Sequence, residues 1–352
     1  VTVLSRIRRR PRTERPLRPT TSRRTGAIAC GTAAVLILAA CANPDDGATT
    51  EVPDANGTGD KGSSGKSTIR INNSPDQNRV TTKKVDSIAA EVPARIRESG
   101  RLRIVASADS SPPLGFYATD DKTRIGAEVD LAYLVANVLG LKPEFTQVAW
   151  ENIFVGLDSG KYDVGFSNIT DTEERKEKYD FASYRKDDLA FEARKGSGLK
   201  VRDYRDVAGR TVAVDSGTNQ EKVLLAWSDQ AERAGLEPVD IKYYKASTDT
   251  QLALRSGRIE LFLGPNPTAA YRVASAGKTE IVGTLSGAGD TLQGLIAATT
   301  RKNNGLVEPL ADAVNEIIDN GTYAEVLKRW GLSGEAVPES KINPPGLPKT
   351  AK

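Results

Sequence analysis

The sequence predicts an α/β protein built of two similar halves. Strand-like and helix-like apolar runs alternate from residue 101 to 167, the alternation restarts at 210, and two amphipathic segments close the body before a Pro-rich end. Strand–helix–strand units at this spacing predict parallel sheets with helices on both faces.

In order, IAAEVPARIRESG (88–100) reads as one helix stopped by Gly100, and RLRIVAS (101–107) as a strand. EVDLAYLVANVLG (128–140) carries Val129, Ala132, Val135 and Leu139 on one helical stripe. FTQVAW (145–150) is a strand, NIFVGLDSG a short helix and YDVGFS (162–167) a strand. The second half runs RTVAVDS (210–216), a helix opened by GTNQ, IKYYKA (241–246), the helix TDTQLALRSG, IELFLG (259–264), a helix around PTAAYRVASAG, and IVGTLS (281–286). GLIAATT (294–300) adds a strand, GLVEPLADAVNEIIDNG and TYAEVLKRWG are the closing helices, and 336–352 is expected to be a flexible tail. Two α/β halves joined by extended segments form a cleft, where ligands prefer to sit, near the C-terminal ends of strands.

The start of the chain reads as an address. Nine arginines against one acid give residues 1–40 a charge of +8, which leaves 41–352 at −5 within a total of +3. A body of that balance is not a nucleic-acid binder. AIACGTAAVLILAA (27–40) is too short to span a bilayer and has the form of a secretory signal peptide. LAAC (38–41) resembles the lipobox of bacterial lipoproteins, which implies a lipid on the Cys41 thiol and loss of Cys30 with the leader. Ser22-Arg23-Arg24 holds a twin arginine, but Thr-Gly-Ala follows where a hydrophobic pair is usual, so ordinary secretion is expected. Residues 41–85 are expected to be a disordered tether, because their Gly, Ser, Thr, Asp and Pro bury too little to offset the cost of ordering. GTGDKG (57–62) and GKS (65–67) mimic nucleotide-binding motifs without the strand or the first glycine those motifs need.

Composition excludes several chemistries. The chain has no histidine, so Ser-His-Asp and Cys-His catalysis and His-ligated metals are ruled out; two cysteines cannot form a Cys-rich zinc cluster. No cofactor is expected. SGLK (197–200) fits an SxxK pattern but lies in a predicted loop.

SNITDTEER (167–175) poses a specific problem. A helix start favours acids and disfavours cations, yet Arg175 comes early in what reads as one. Asp171 or Thr172 is a candidate cap, Glu174 closes a capping box on Asp171, and Glu174 with Lys178 forms a favourable i,i+4 pair. By itself the run reads as a solvated helix face.

Three segments together resemble one family. IGAEVDLAYLVANVLG, WENIFVGLDSGKYDVGFSNITDTEERKEKYDF and VAVDSGTNQE, in that order, resemble signature stretches of the bacterial extracellular solute-binding proteins of the polar amino-acid class. The resemblance implies a two-lobed periplasmic-binding-protein-like fold (type II) with two crossings between lobes, here LAFEAR (189–194) and GLIAATT (294–300). Lobe 1 would comprise 88–194 and 295–335, and lobe 2 195–294. It also implies that Arg175 grips a ligand carboxylate through paired N–H bonds, helped by Thr170 and Asn168 and, across the cleft, by Gly217, Thr218 and Asn219. Trp150 and, by position, Phe116 and Tyr117 are the candidate aromatic walls.

The chain departs from that pattern at two points. Family members hold a ligand amine with an aspartate where this chain has Pro265, and Ala127 replaces the usual aromatic of the signature. Asp109, Asp215 and Asp290 are candidate substitutes for the amine clamp. The reading implied is a lipid-anchored, extracytoplasmic receptor that delivers an amino acid or related carboxylate to an ABC permease and ATPase, without catalysis. A dehydratase-like enzyme on the same fold and a ligand sensor for a membrane receptor are the alternatives.

Overall fold

The computed structural model describes residues 49–53 and 68–349. The expected leader, Cys30 and Cys41 lie outside the described residues.

Strand β1 (Thr49–Pro53) pairs antiparallel with β2 (Thr68–Asn72). Ile71 at the end of β2 is buried in the core of the first lobe, and the Asn73 carbonyl accepts from Thr119 N at 2.9 Å. Arg79 pairs with buried Asp130 and donates to the Arg124 carbonyl at 2.6 Å. The tether expected to run to residue 85 is therefore ordered from β2 onward, because one apolar side chain and one ion pair fasten a polar stretch.

Helices α1 (Asp86–Glu91) and α2 (Ala94–Ser99) replace the single helix expected. Pro93 lacks the N–H that a continuous helix needs and holds Val92 extended. Then follow β3 (Arg101–Ser107), the small ribbon β4 (Phe116–Tyr117) and β5 (Arg124–Ile125), α3 (Ala127–Leu139), β6 (Lys142–Val148), α4 (Trp150–Asp158) and β7 (Val164–Gly165). Strand β8 (Tyr179–Arg194) is 16 residues long. Next come α5 (Tyr204–Val207), β9 (Thr211–Ala213), α6 (Asn219–Arg233), β10 (Asp240–Lys242), α7 (Ser247–Ser256), β11 (Leu261–Pro265), α8 (Asn266–Ala276) and β12 (Thr279–Ser286). The chain closes with β13 (Gly294–Arg301), α9 (Val307–Asp319) and α10 (Thr322–Arg329).

The strands lie in the order β10-β9-β11-β8-β13-β7-β3-β6, with β12 also on β8. The pairs β3/β6, β3/β7, β9/β10 and β9/β11 are parallel, as the alternation predicts. The pairings of β8 with β11, β12 and β13 are antiparallel, so the sheets are mixed. The reason is the crossing. The first half of β8 pairs with β13 in lobe 1, and Leu189–Arg194 already pair with β11 and β12 in lobe 2. The outward crossing thus falls near Lys186–Asp188, earlier than the expected 189–194, and β13 belongs to lobe 1 along its whole length.

Lobe 1 packs α3, α9 and α10 on its sheet, with Leu310, Val314 and Ile317 of α9 facing inward at helical spacing. Trp330 is buried there and donates its indole N–H to Asp130 Oδ2 at 2.8 Å. Lobe 2 packs Val223, Leu224 and Trp227 of α6 against β8, where the Phe191 and Trp227 rings stack at 5.6 Å.

The C-terminal stretch is not loose. Lys341 and Ser183 exchange backbone and hydroxyl hydrogen bonds, and Asn343 N donates to the Phe181 carbonyl at 2.9 Å. Leu347 then bridges to Thr172 and buries its side chain in the lobe 2 core. Gly346 is needed on this path, since a Cβ there would lie 2.5 Å from the Asp171 carbonyl oxygen. Residues 336–349 therefore form a strap from lobe 1 to lobe 2. Deleting residues 338–352 removes one buried leucine and several hydrogen bonds, on the order of 2–4 kcal/mol. Thermal unfolding should fall by roughly 5–10 °C; an unchanged midpoint would show the strap to be decoration.

Candidate functional site: the interlobe cleft

A cavity of about 530 Å³ lies between the lobes. Lobe 1 contributes Ser107 at the end of β3 and Asp109, Ser110, Ser111 and Leu114 from the loop after it, Trp150 and Glu151 from the start of α4, and Ser167 and Asn168 after β7. Lobe 2 contributes Asp215, Ser216, Thr218, Asn219 and Gln220 between β9 and α6, Tyr244–Ser247 after β10, and Phe262, Pro265, Thr268 and Arg272. These are strand ends and helix starts, where an α/β sheet leaves its loops free to meet a ligand.

Of the residues singled out from the sequence, Asp109, Trp150, Asn168, Asp215, Thr218 and Asn219 line the cavity. Thr218 caps α6, its hydroxyl accepting from Glu221 N at 3.2 Å. Asn168 adopts φ +51° and donates its N–H to Glu128 Oε2 at 3.1 Å, while its side-chain oxygen accepts from Arg185. It thus belongs to a buried network beneath the cleft floor. Burial opposes the charge of Arg185, but Glu335 and Glu128 outweigh it and hold the guanidinium more firmly protonated than in water.

Arg175, Thr170 and Gly217 are not in the cavity lining. No α-helix starts at 171; Arg175–Glu177 form a single 3-10 turn. Arg175 Nη1 donates to the Thr170 carbonyl at 2.8 Å, and Nη2 donates across the lobes to the Gly217 carbonyl at 3.2 Å. Its guanidinium carbon lies 5.4 Å from the Trp150 ring centre and 5.1 Å from that of Phe154, cation–π distances to two rings that themselves pack edge to face. Trp150 Nε1 donates to the same Gly217 carbonyl at 3.2 Å. Desolvation lowers the Arg175 pKa to about 10, with Asp187, Glu174 and Asp171 opposing, so it stays charged at neutral pH. The early arginine is a bridge between lobes. Glu174 pairs with Lys222 of lobe 2 and not with Lys178.

Asp171 is not a cap either. Its side chain is fully buried, neither oxygen accepts a hydrogen bond, and Lys176 Nζ stands 3.5 Å away. Desolvation raises its pKa to about 7. Phe116 packs edge-on against Trp330 at 5.9 Å in the lobe 1 core, and Tyr117 bonds Gln147 at the surface, so neither forms a cleft wall. Asp290 is also away from this cavity, beside α6 and the strap.

Asp215 faces the cavity from lobe 2 and Asp109 from lobe 1. Burial raises the Asp215 pKa, Arg272 pulls it down and Asp109 pushes it up, which places the two carboxylates within electrostatic reach of each other. Arg272 spends Nε and Nη2 on buried Glu192 Oε2, at 3.0 and 2.6 Å, and lies over the Phe262 ring. Arg272, Phe262 and Tyr244 were not expected from the sequence; Tyr244 follows β10, but Phe262 lies within β11 and Arg272 within α8, where nothing local marks them.

Two lobes on shared strands with a polar cleft between them define a solute-binding protein. The chain belongs to the bacterial extracellular solute-binding proteins, family 3, whose family model matches residues 103–333. It is 28% identical over 261 residues to the arginine-binding protein ArgT of Corynebacterium glutamicum, covering 74% of this chain and 83% of that one. It is 28% identical over 237 residues to the L-cystine-binding protein TcyJ of Escherichia coli K12, covering 67% and 84%. A solved ancestral arginine-binding protein bound to arginine is similar at TM-score 0.57 and 30% identity, over 66% of this chain and 98% of that chain.

The Asp171 carboxyl carries a pH prediction. Its folded pKa lies above the ordinary value of 3.8, so the folded state holds a proton that the unfolded chain gives up, and stability falls as pH rises from about 4 to about 7. Asp171→Asn removes that loss. It should raise unfolding free energy by roughly 1–3 kcal/mol at pH 8 and by almost nothing at pH 4. Urea melts at the two pH values check this, and a gain equal at both would refute it.

Proposed function

We propose that this protein is the substrate-binding component of an ABC importer for a small basic solute of the amino-acid class. It closes on the ligand between its lobes and hands it to a membrane permease driven by an ATPase. The observation that carries this reading is the acidic pair, Asp109 and Asp215, facing each other across the cleft where the family's usual amine-binding aspartate is Pro265. A carboxylate on each wall suits a ligand with separated positive charges, and Trp150, Tyr244 and Phe262 supply faces for a planar or aliphatic stem. Relatives named as arginine-binding agree with that charge pattern. Cys41 is proposed as the lipid-bearing residue that holds the protein on the outer side of the membrane, and capture is proposed to leave the ligand chemically unchanged. Among the described residues no helix is long and apolar enough to cross a membrane.

Arginine, lysine and ornithine should raise the melting point, and glutamine or glutamate should not, since a ligand stabilises in proportion to the logarithm of saturation. Asp215→Asn should weaken arginine binding by about 2 kcal/mol, roughly thirtyfold, in a calorimetric titration, with little change in the unliganded melting point. Binding of acidic or neutral ligands alone would overturn the reading. Mass spectrometry of the recovered ligand tests the rest: a changed mass would make the protein an enzyme.

A further inference from the structure

The two walls of the cleft differ in charge. Of the charged residues that line the cavity, lobe 1 supplies two acids, Asp109 and Glu151. Lobe 2 supplies one acid, Asp215, and two cations, Lys245 and Arg272. Strands β9 and β11 are parallel neighbours with Ala213 opposite Phe262, so Asp215, two residues past Ala213, emerges next to the entry of α8. Thr268 and Arg272, one turn apart on α8, bring that helix's face to the same cavity. Burial raises the Asp215 pKa, and Arg272 is the cation that lowers it.

Arg272 is held along one edge. Nε and Nη2 donate to Glu192 Oε2 at 3.0 and 2.6 Å. Glu192 is fully buried, and its other oxygen accepts from the Thr279 hydroxyl at 2.6 Å. Arg272 Nη1 donates no hydrogen bond among the described residues. Lys245, on the same wall, is exposed. A plain cation docked at Asp215 would meet Arg272 and Lys245 as like charges. A group that carries a carboxylate beside its ammonium meets an opposite charge at each. Nη1 then offers a donor whose position Glu192 has already fixed, so little ordering is lost on binding.

We infer that the lobe 2 wall is a subsite for a second amino-acid head: Asp215 takes an ammonium, and Arg272 Nη1, with Lys245 of the same wall, takes the carboxylate on the same carbon. This rests on the basic-solute reading above and narrows it to diamino dicarboxylic acids. Such a solute keeps one ammonium for Asp109 and one for Asp215, and adds a distal carboxylate. Arg272 is then a specificity-determining residue, and Glu192 positions it.

The test is calorimetric titration of the full chain with L-lysine and with meso-diaminopimelate, which differs from lysine by one carboxylate on the carbon that bears the distal amine. Diaminopimelate should bind roughly tenfold tighter or more, the worth of one charge-assisted hydrogen bond. Lysine binding as tightly as diaminopimelate, or tighter, would overturn the inference and leave the basic-solute function standing. Failure of both to bind would overturn the function and the inference together. The paired variant Arg272→Gln with Glu192→Gln removes the donor without stranding a buried charge, and the preference for diaminopimelate over lysine should then fall by about fivefold or more. Equal weakening of both ligands, with the preference unchanged, would show Arg272 to be structural only and overturn its assigned role. If that variant does not fold, the wild-type comparison still decides.

Discussion

A full positive charge on the strand that both lobes share is the constraint on which the rest depends. Arg185 is 1% exposed, and its guanidinium meets Glu128 of α3, Glu335 of the turn after α10 and Asn168 of the cleft floor. Desolvation of such a group is tolerable only when every partner is present, and removing one leaves a buried charge uncompensated at a cost of about 3–5 kcal/mol. The Tyr184 hydroxyl donates to the same Glu128, which in turn accepts from Asn168 N. The left-handed Asn168 is therefore fixed from below before any ligand arrives. A cleft floor held this way favours tight capture, because little ordering remains for the ligand to impose.

Two residues along β8, strand alternation returns Asp187 to the same side, and there the contacts change from within a lobe to between lobes. The lobes are linked by a few polar contacts: Asp187 with Asn219, Arg175 and Trp150 with Gly217, and Glu174 with Lys222. A neutral hydrogen bond contributes roughly 0.5–1.5 kcal/mol, so the set is strong enough to define one geometry and weak enough to be broken by hinge opening. The strap works differently. With Leu347 in the lobe 2 core and Asn343 bonded to β8, it joins the lobes by apolar burial as well as by hydrogen bonds.

Local information in the sequence was enough for most elements. The strand 101–107 agrees with β3, and the helices opened by GTNQ and closed by Gly140 follow from caps and apolar spacing. What was illegible depends on partners distant in sequence. Residues 171–174 have helix-start chemistry, yet Asp171 N bonds the Leu295 carbonyl and Glu173 N the Leu347 carbonyl, so tertiary pairing overrides local preference. The tail's composition reads as loose because its order comes from strand β8, more than 150 residues away. In the cleft, Trp150, Asn168, Thr218, Asn219 and Asp109 could be placed by motif and strand end. Phe116 was misplaced because nothing local shows that Trp330 covers it, and the bonds of Asp187 to Thr170 and Asn219 join segments far apart in sequence.

Dividing the acidic groups between two walls also changes how ligand charge and closure are coupled. With the amine-binding aspartate gone from the Pro265 position, Asp215 on one lobe and Asp109 on the other face a shared space. Like charges brought together raise each other's proton affinity, which is the direction of the Asp109 effect on Asp215. Closing an empty cleft therefore works against repulsion. Under the proposed reading, a cationic solute between the walls would turn that repulsion into attraction on both sides, so that its differential affinity for the closed state would follow from the charge pattern. A neutral solute of the same shape fills the cavity without removing the repulsion. Under the proposed reading, selectivity for charge and the drive for lobe closure are then one interaction, placed across the hinge where an importer can sense it.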